Sequence, residues 1–465
     1  MAMSMLTLEQ LPDDVIVMVL QHLPVEDVLD CRLVCKRLCG LSLQRDVWRH
    51  LSLKDDNPHA GAVLHLAPCL DKLTVTGRVP TLAVTTTSCA VSNLELEDGE
   101  AFDDAKYALA VLNQESLGRL KRLVLGIVSP KEMIKADLLF RTVAACAGLD
   151  SLSVFYEPPS TTHPIVRGPP ASSLTMFRCV VGGNSASFVN AILAGHAATL
   201  EEVEIDNADS DLKNTTLADL LAAMPRLHSL RCDSTLSGLE KVAECKTLTD
   251  VNIYLWRFRG DLDRVAEFLR RANQLRRVHL QNSTVDSIGK YCTVLVEALV
   301  SSRRSLVERL ALDAFDDVRP LLRALPSLPA LRHLDLDGAE PDDELLMSIT
   351  PVTAPALRLL EIALVGAGRC PHAWMHGAAV KATLTANPLL HIQLWCNAGH
   401  WYAPQECEVC PEYCHRGVEW HAVEKIGLYS HAPEQCPSPE DHNDDVDWQR
   451  CFGRRTNVAC TWIHL

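Results

Sequence analysis

Through most of the chain, apolar residues recur in one short phrase, apolar-x-x-apolar-x-apolar, with polar residues between them. The phrase reads Leu70/Leu73/Val75, Val91/Leu94/Leu96, Leu120/Leu123/Leu125, Leu149/Leu152/Val154 and Leu174/Phe177/Cys179. It continues as Leu200/Val203/Ile205, Leu227/Leu230/Cys232, Leu248/Val251/Ile253 and Leu275/Val278/Leu280. The last copies are Val307/Leu310/Leu312, Leu331/Leu334/Leu336, Leu357/Leu360/Ile362 and Leu389/Ile392/Leu394. Alternation inside each phrase predicts a short strand with one buried face. Stretches between them, such as Leu217 to Met224 and Leu262 to Ala272, carry a helical period. One strand plus one helix of this size cannot bury its apolar face, whereas stacked copies share a continuous core.

The phrases recur on average about every 27 residues, a spacing typical of leucine-rich repeats. The expected fold class is therefore α/β, a leucine-rich-repeat solenoid over residues 56–395 with parallel strands on the concave side and helices outside. The asparagine that ladders many such repeats is mostly missing, which predicts an irregular array. An ordinary non-repeating α/β domain is the competing reading. A doubly wound sheet would want a glycine-rich phosphate loop after a strand, and none follows these phrases.

Residues 1–55 follow a different rhythm, which predicts three short helices cut by prolines. Pro12 fixes the backbone at a helix entry, and Asp13 and Asp14 place negative charge on the first turn's N–H groups. Val15, Ile16, Val19, Leu20 and Leu23 then form one apolar stripe. Pro24 opens a second helix, with Glu26 and Asp27 in its first turn and Val28, Cys31, Cys35 and Leu38 along one face. A last short turn ends on Trp48. So few residues cannot enclose all these apolar groups in a private core, so part of that surface must meet something else.

The order Leu11, Pro12, Asp13, Asp14, Leu20, Leu23, Pro24, Val28, Val34, Cys35, Lys36, Arg37, with Trp48-Arg49 after it, resembles the F-box. Leu38 departs from the pattern, where an aromatic residue is common. The resemblance implies a three-helix module that docks on the Skp adaptor of cullin–RING (SCF) ubiquitin ligases. It also implies adaptor contacts drawn from Leu11, Pro12, Leu20, Leu23, Pro24, Val28, Val34, Cys35 and Trp48. The chain would then be a non-catalytic substrate-recognition subunit whose repeats bind a protein target, feeding proteasomal degradation. A non-degradative F-box/repeat interaction scaffold is the alternative.

Net charge of −15 argues against a nucleic-acid partner, which needs clustered cations. No apolar run is long enough for a membrane span, and the first residues lack a secretory signal pattern. The expectation is an intracellular protein, cytoplasmic and/or nuclear, whose 18 cysteines are reduced. No nucleophile elbow or local cysteine/histidine arrangement of a known catalytic type is present.

Two regions carry candidate chemistry. Alternation sends polar residues of the strands to the concave face, and Glu202, Glu204, Arg231, Tyr254, Arg277, His279, His333, Asp335 and Trp395 are the candidate target-binding residues there. Mixed charge with aromatics suits a protein partner. From Cys396 the leucine pattern stops, and residues 396–465 hold seven cysteines, six histidines and four tryptophans. That composition predicts a Cys/His/Trp-rich cap over the last repeat. Cys407-x-x-Cys410 followed by Cys414 and His415 has spacing that lets ligands converge on one zinc, with Cys396/His400 or Cys436/His442 completing or doubling the site. No cofactor is otherwise required. The proline-rich stretch Tyr156 to Ala171 reads as a long loop.

Overall fold

The computed structural model describes residues 10–97, 103–126, 137–158, 171–182, 185–207, 215–255, 259–282, 290–301, 305–315, 317–337, 342–364, 374–396, 425–432, 436 and 460–465. The chain forms two compact units, Met1–Leu227 and His228–Leu465.

The first unit opens with four short helices, α1 (Asp13–Leu20), α2 (Val25–Val34), α3 (Lys36–Ser42) and α4 (Arg45–Trp48). The second helix expected from sequence is in fact two. Cys35 breaks it by taking an extended conformation (φ −156°, ψ 165°), and its sulfur accepts the Leu38 N–H at 3.4 Å to cap α3. Neither proline nor glycine marks that break, so periodicity alone runs straight through it. Cys35 consequently faces solvent instead of sharing a stripe with Val28. Helix α1 packs on α3 and α4, and α2 packs on α3. Ile16, Val17, Leu20, Val25, Val28, Leu38, Leu41, Val47 and Trp48 are buried between them. Leu38 fills its place in this small core without an aromatic ring.

Seven strands follow: β1 (Ser52–Lys54), β2 (Cys69–Val75), β3 (Ala90–Glu97), β4 (Arg122–Gly126), β5 (Ser151–Val154), β6 (Met176–Val181) and β7 (Glu202–Asn207). Each pairs in parallel with the next. Leu73, Leu94, Leu123, Leu152, Phe177 and Val203 are register partners in one row. In-register parallel strands set such rows about 4.8 Å apart, so each apolar side chain stacks on its equivalents in the neighbouring strands. The row is closed by intervening helices, and Phe140 of Asp137–Ala145 meets Phe188 of Ala186–Gly195 edge-on at 4.9 Å between ring centroids.

The second unit repeats the plan with β8 (Ser229–Asp233), β9 (Asp250–Leu255), β10 (Arg277–Asn282), β11 (Arg309–Asp313), β12 (His333–Asp337), β13 (Leu359–Leu364) and β14 (His391–Cys396), parallel throughout. Strands β2 to β14 correspond one for one to the thirteen phrases of the sequence. The last phrase needs a correction: Leu390, 1% exposed, fills the buried position, and Leu389 is 37% exposed. Two strands from the tail extend this sheet. β15 (Lys425–Tyr429) runs antiparallel to β14, and β16 (Cys460–His464) runs parallel to β15. The first unit is thus a helical N-terminal module followed by a parallel sheet with alternating helices, and the second a mostly parallel sheet with alternating helices, each a solenoid-like α/β repeat.

Cys69, Cys89, Cys146, Cys179 and Cys292 are buried free thiols. Burial pushes those of Cys89 and Cys292 up to about 12 and that of Cys179 well above the usual thiol range. They are small apolar packing groups, chemically inert at neutral pH. No described helix is long and apolar enough to cross a membrane.

Candidate functional site

The helical module is held by polar ties that leave part of its apolar surface outside. Arg37 of α3 donates to the Asp13 carboxylate at 2.6 Å and to the Leu11 carbonyl at 2.6 Å, fixing the entry of α1. Trp48 is fully buried, and its indole N–H donates to the Ser42 carbonyl at 2.6 Å. Asn57 donates to the Glu26 carboxylate at 2.6 Å, tying α2 to the start of the repeats.

Of the residues expected to contact an adaptor, Leu20, Val28 and Trp48 are core residues at 3%, 0% and 0% exposure. They hold the helices together and have no surface to offer. Leu11 and Leu23 are half-buried, while Pro12, Pro24, Val34 and Cys35 are exposed. Three residues outside the expected set are exposed as well: Met18 at 62% and Val19 at 49% on α1, and Leu33 at 83% on α2. Val34 beside Leu33 is 70% exposed. Leu33 and Val34 lie off the buried positions set by Val25 and Val28, and α2 has too little apolar segregation for a helical wheel to single them out.

The polar sheet face behaves differently from a solvated surface. In the first unit Glu202 and Glu204 are half-buried on β7. Arg178 reaches the Glu204 carboxylate at 3.1 Å and lies 4.7 Å over the Phe155 ring. In the second unit the expected residues meet partners on the same face. Arg231 lies 4.6 Å over the Tyr254 ring, and Arg277 donates to the Asp250 carboxylate. The His279 Nε2 is 2.6 Å from the Asp313 carboxylate, and Asp335 is 7% exposed.

The densest knot centres on Glu361, which the expected set does not include and which is the register partner of Asp335. Its carboxylate, 2% exposed, receives His333 Nε2 at 2.6 Å, Arg309 at 3.4 Å and the Trp395 indole N–H at 3.4 Å. Lys425 from β15 approaches it to 3.7 Å and lies 4.6 Å over the Trp395 ring. Burial opposes the Glu361 charge, but the His333 hydrogen bond and the Arg309 and Lys425 cations overcome it and hold the carboxyl well below its usual range. Burial and the Arg309 charge lower His333 to about 4, so at neutral pH it is a neutral imidazole donating to a carboxylate. These charges are already spent on each other, so they shape the face more than they invite an ion.

The tail residues Cys407, Cys410, Cys414 and His415 lie outside the described residues, as do His400, His442 and most of the stretch Tyr156 to Ala171. Among the described residues, one group of metal-capable side chains converges: His391, His431 and Cys436, with ligand atoms within 4.8 Å of one another.

No curated protein matches the chain by sequence. A chain of the yeast Rad7–Elc1 complex structure superposes at a TM-score of 0.40 with 14% identity, covering 75% of this chain and 88% of that one. The F-box-like family model matches residues 8–54. That span takes in α1 to α4 with their shared core and exposed apolar edge, and it is an F-box-like domain.

Proposed function

We propose that the chain is a non-catalytic substrate receptor of an SCF-type ubiquitin ligase, whose F-box-like domain binds a Skp-family adaptor and whose leucine-rich repeats bind a protein target. The observation that carries this reading is the F-box-like domain at residues 8–54 with Leu33 and Val34 uncovered at the end of α2. Covering apolar side chains this open contributes about 1.5–3 kcal/mol each when a partner buries them fully. The contacts proposed for the adaptor are Pro12, Met18, Val19, Pro24, Leu33, Val34 and Cys35.

On this reading catalysis is proximity. The receptor concentrates a target lysine near a ubiquitin-charged enzyme and transfers nothing itself. Paired charges with Tyr254 and Trp395 on the repeat face suit a protein target, because aromatic anchors inside a neutralised polar surround make binding hot spots.

Direct titration of the purified chain with a Skp-type adaptor tests the proposal. Binding at micromolar or tighter affinity, weakened at least tenfold by Leu33→Ala with Val34→Ala, supports it. Absence of binding by the intact, folded chain overturns it. Adaptor binding without ubiquitination of any co-purified protein in a reconstituted ligase would restrict the role to that of a scaffold.

A further inference from the structure

The tail strands bring together three side chains that the adaptor and target readings leave unused. His391 opens β14, His431 follows β15, and Cys436 comes five residues later. Both imidazoles are buried, at 0% and 5% exposure, and their rings meet edge-on with centroids 4.9 Å apart. Trp462 of β16 closes one side of His391 at 5.5 Å between ring centroids, and Tyr429 lies 5.2 Å from His431. Aromatic rings therefore flank both imidazoles.

Each imidazole is oriented by a backbone carbonyl. The Nδ1 of His431 is 2.8 Å from the Pro388 oxygen, and the Nδ1 of His391 is 3.3 Å from the Arg358 oxygen. A carbonyl only accepts, so in both contacts Nδ1 carries the proton and the lone pair is left on Nε2. Metal-ligating histidines are set up in this way, with one nitrogen held by an acceptor and the other aimed at the ion. The Cys436 sulfur is 3.7 Å from His391 Nε2. Bond lengths of about 2.3 Å to sulfur and about 2.0–2.1 Å to nitrogen make the S···N edge of a zinc tetrahedron about 3.6 Å. The observed separation already matches that edge.

We propose that His391, His431 and Cys436 form a zinc site that fastens the tail to the last repeat strand. The ion bonds to the two Nε2 atoms and to the sulfur, and the thiol proton leaves to solvent, so one proton is released per zinc bound. Water takes the fourth vertex. Soft sulfur with two imidazoles selects zinc over magnesium or calcium. This site is separate from the Cys407/Cys410/Cys414/His415 cluster expected from spacing, and it does not depend on the adaptor reading.

Cobalt(II) titration of the full-length, chelator-stripped protein tests the site, because a cobalt–thiolate bond gives a near-ultraviolet charge-transfer band. The expected result is one equivalent of cobalt with that band, displaced by zinc. Cys436→Ser should abolish the band, and His431→Gln should weaken zinc affinity at least tenfold. A variant with Cys407→Ser, Cys410→Ser, Cys414→Ser and His415→Ala should keep the Cys436-dependent band. Zinc should also raise the Tm of the wild type and leave that of Cys436→Ser unchanged, while the two metal-free proteins melt together. If the protein takes up no metal at micromolar free zinc, or if Cys436→Ser binds cobalt with the same band, the proposal is wrong. Loss of all metal in the four-residue variant alone would likewise assign the ion elsewhere.

Discussion

Trp48 and Leu33 are fifteen residues apart in the sequence and have opposite jobs. Trp48 is enclosed and hydrogen-bonded to Ser42, so Trp48→Ala should cost about 3–5 kcal/mol, read as a lower urea midpoint for the N-terminal module. Leu33 touches little, so Leu33→Ala should leave stability within about 0.5 kcal/mol while reducing adaptor affinity. A urea melt beside an adaptor titration separates the two effects. His333 gives a pH signature. As the pH falls below about 6.5 the unfolded chain's imidazole takes up a proton, whereas the folded one resists until about 4. Folding stability should therefore drop across that window, by about 3 kcal/mol for this group, and the drop should be smaller in His333→Gln. Equal slopes for the two proteins between pH 7 and 4.5 would show that the imidazole is not buried beside Arg309.

At the scale of elements, the strands were legible and their partners on the polar face were not. The thirteen apolar phrases fall on β2 to β14 because a leucine every second residue on a short strand is a strong signal when it recurs with its helix. Strand β1 escaped notice because only Leu53 of its three residues is buried. β15 and β16 lack the phrase altogether, and Ile426, Leu428 and Ile463 are too few to announce two strands whose pairing is set by what they extend. The α2–α3 break at Cys35 depends on a thiol acting as a cap, a job usually given to Ser, Thr, Asp or Asn. Burial of the polar face was invisible for a different reason. Alternation says which way Glu361 points, but only the register reveals that His333, Arg309 and Lys425 reach it. Likewise, the exposed edge of α2 was partly concealed because a family pattern records the residues that keep a module folded along with those that dock. The tail offers an element-scale test. A Cβ on Gly427 would come within 2.2 Å of the Trp462 ring, so Gly427→Ala should push that ring off β15. Loss of β16 would appear as red-shifted tryptophan emission and early proteolytic release of the C-terminal residues.

For the whole molecule, each of the two units is a stack in which a strand and its helix are stabilised by the copies beside them. Damage should therefore spread along a stack. Leu334→Ala, at a position fully buried in the β12 row, should cost about 2–5 kcal/mol and raise hydrogen exchange in β11 and β13 as well as in β12. Protection lost in β12 alone would mean that the rows are not coupled. The acidic balance of −15 discourages binding to nucleic acid, and it should make association with a basic target faster at low salt.

The bare ends of α1 and α2 also bear on supply. On the proposed function, a copy made without an adaptor leaves Met18, Val19, Leu33 and Val34 open to solvent, and exposed apolar side chains draw chaperones or other copies. Co-production with the adaptor should raise the yield of monodisperse protein, and Leu33→Ala with Val34→Ala should remove much of that dependence. In the proposed role, the level of the chain would follow that of the adaptor, because uncovered copies are the ones that clump.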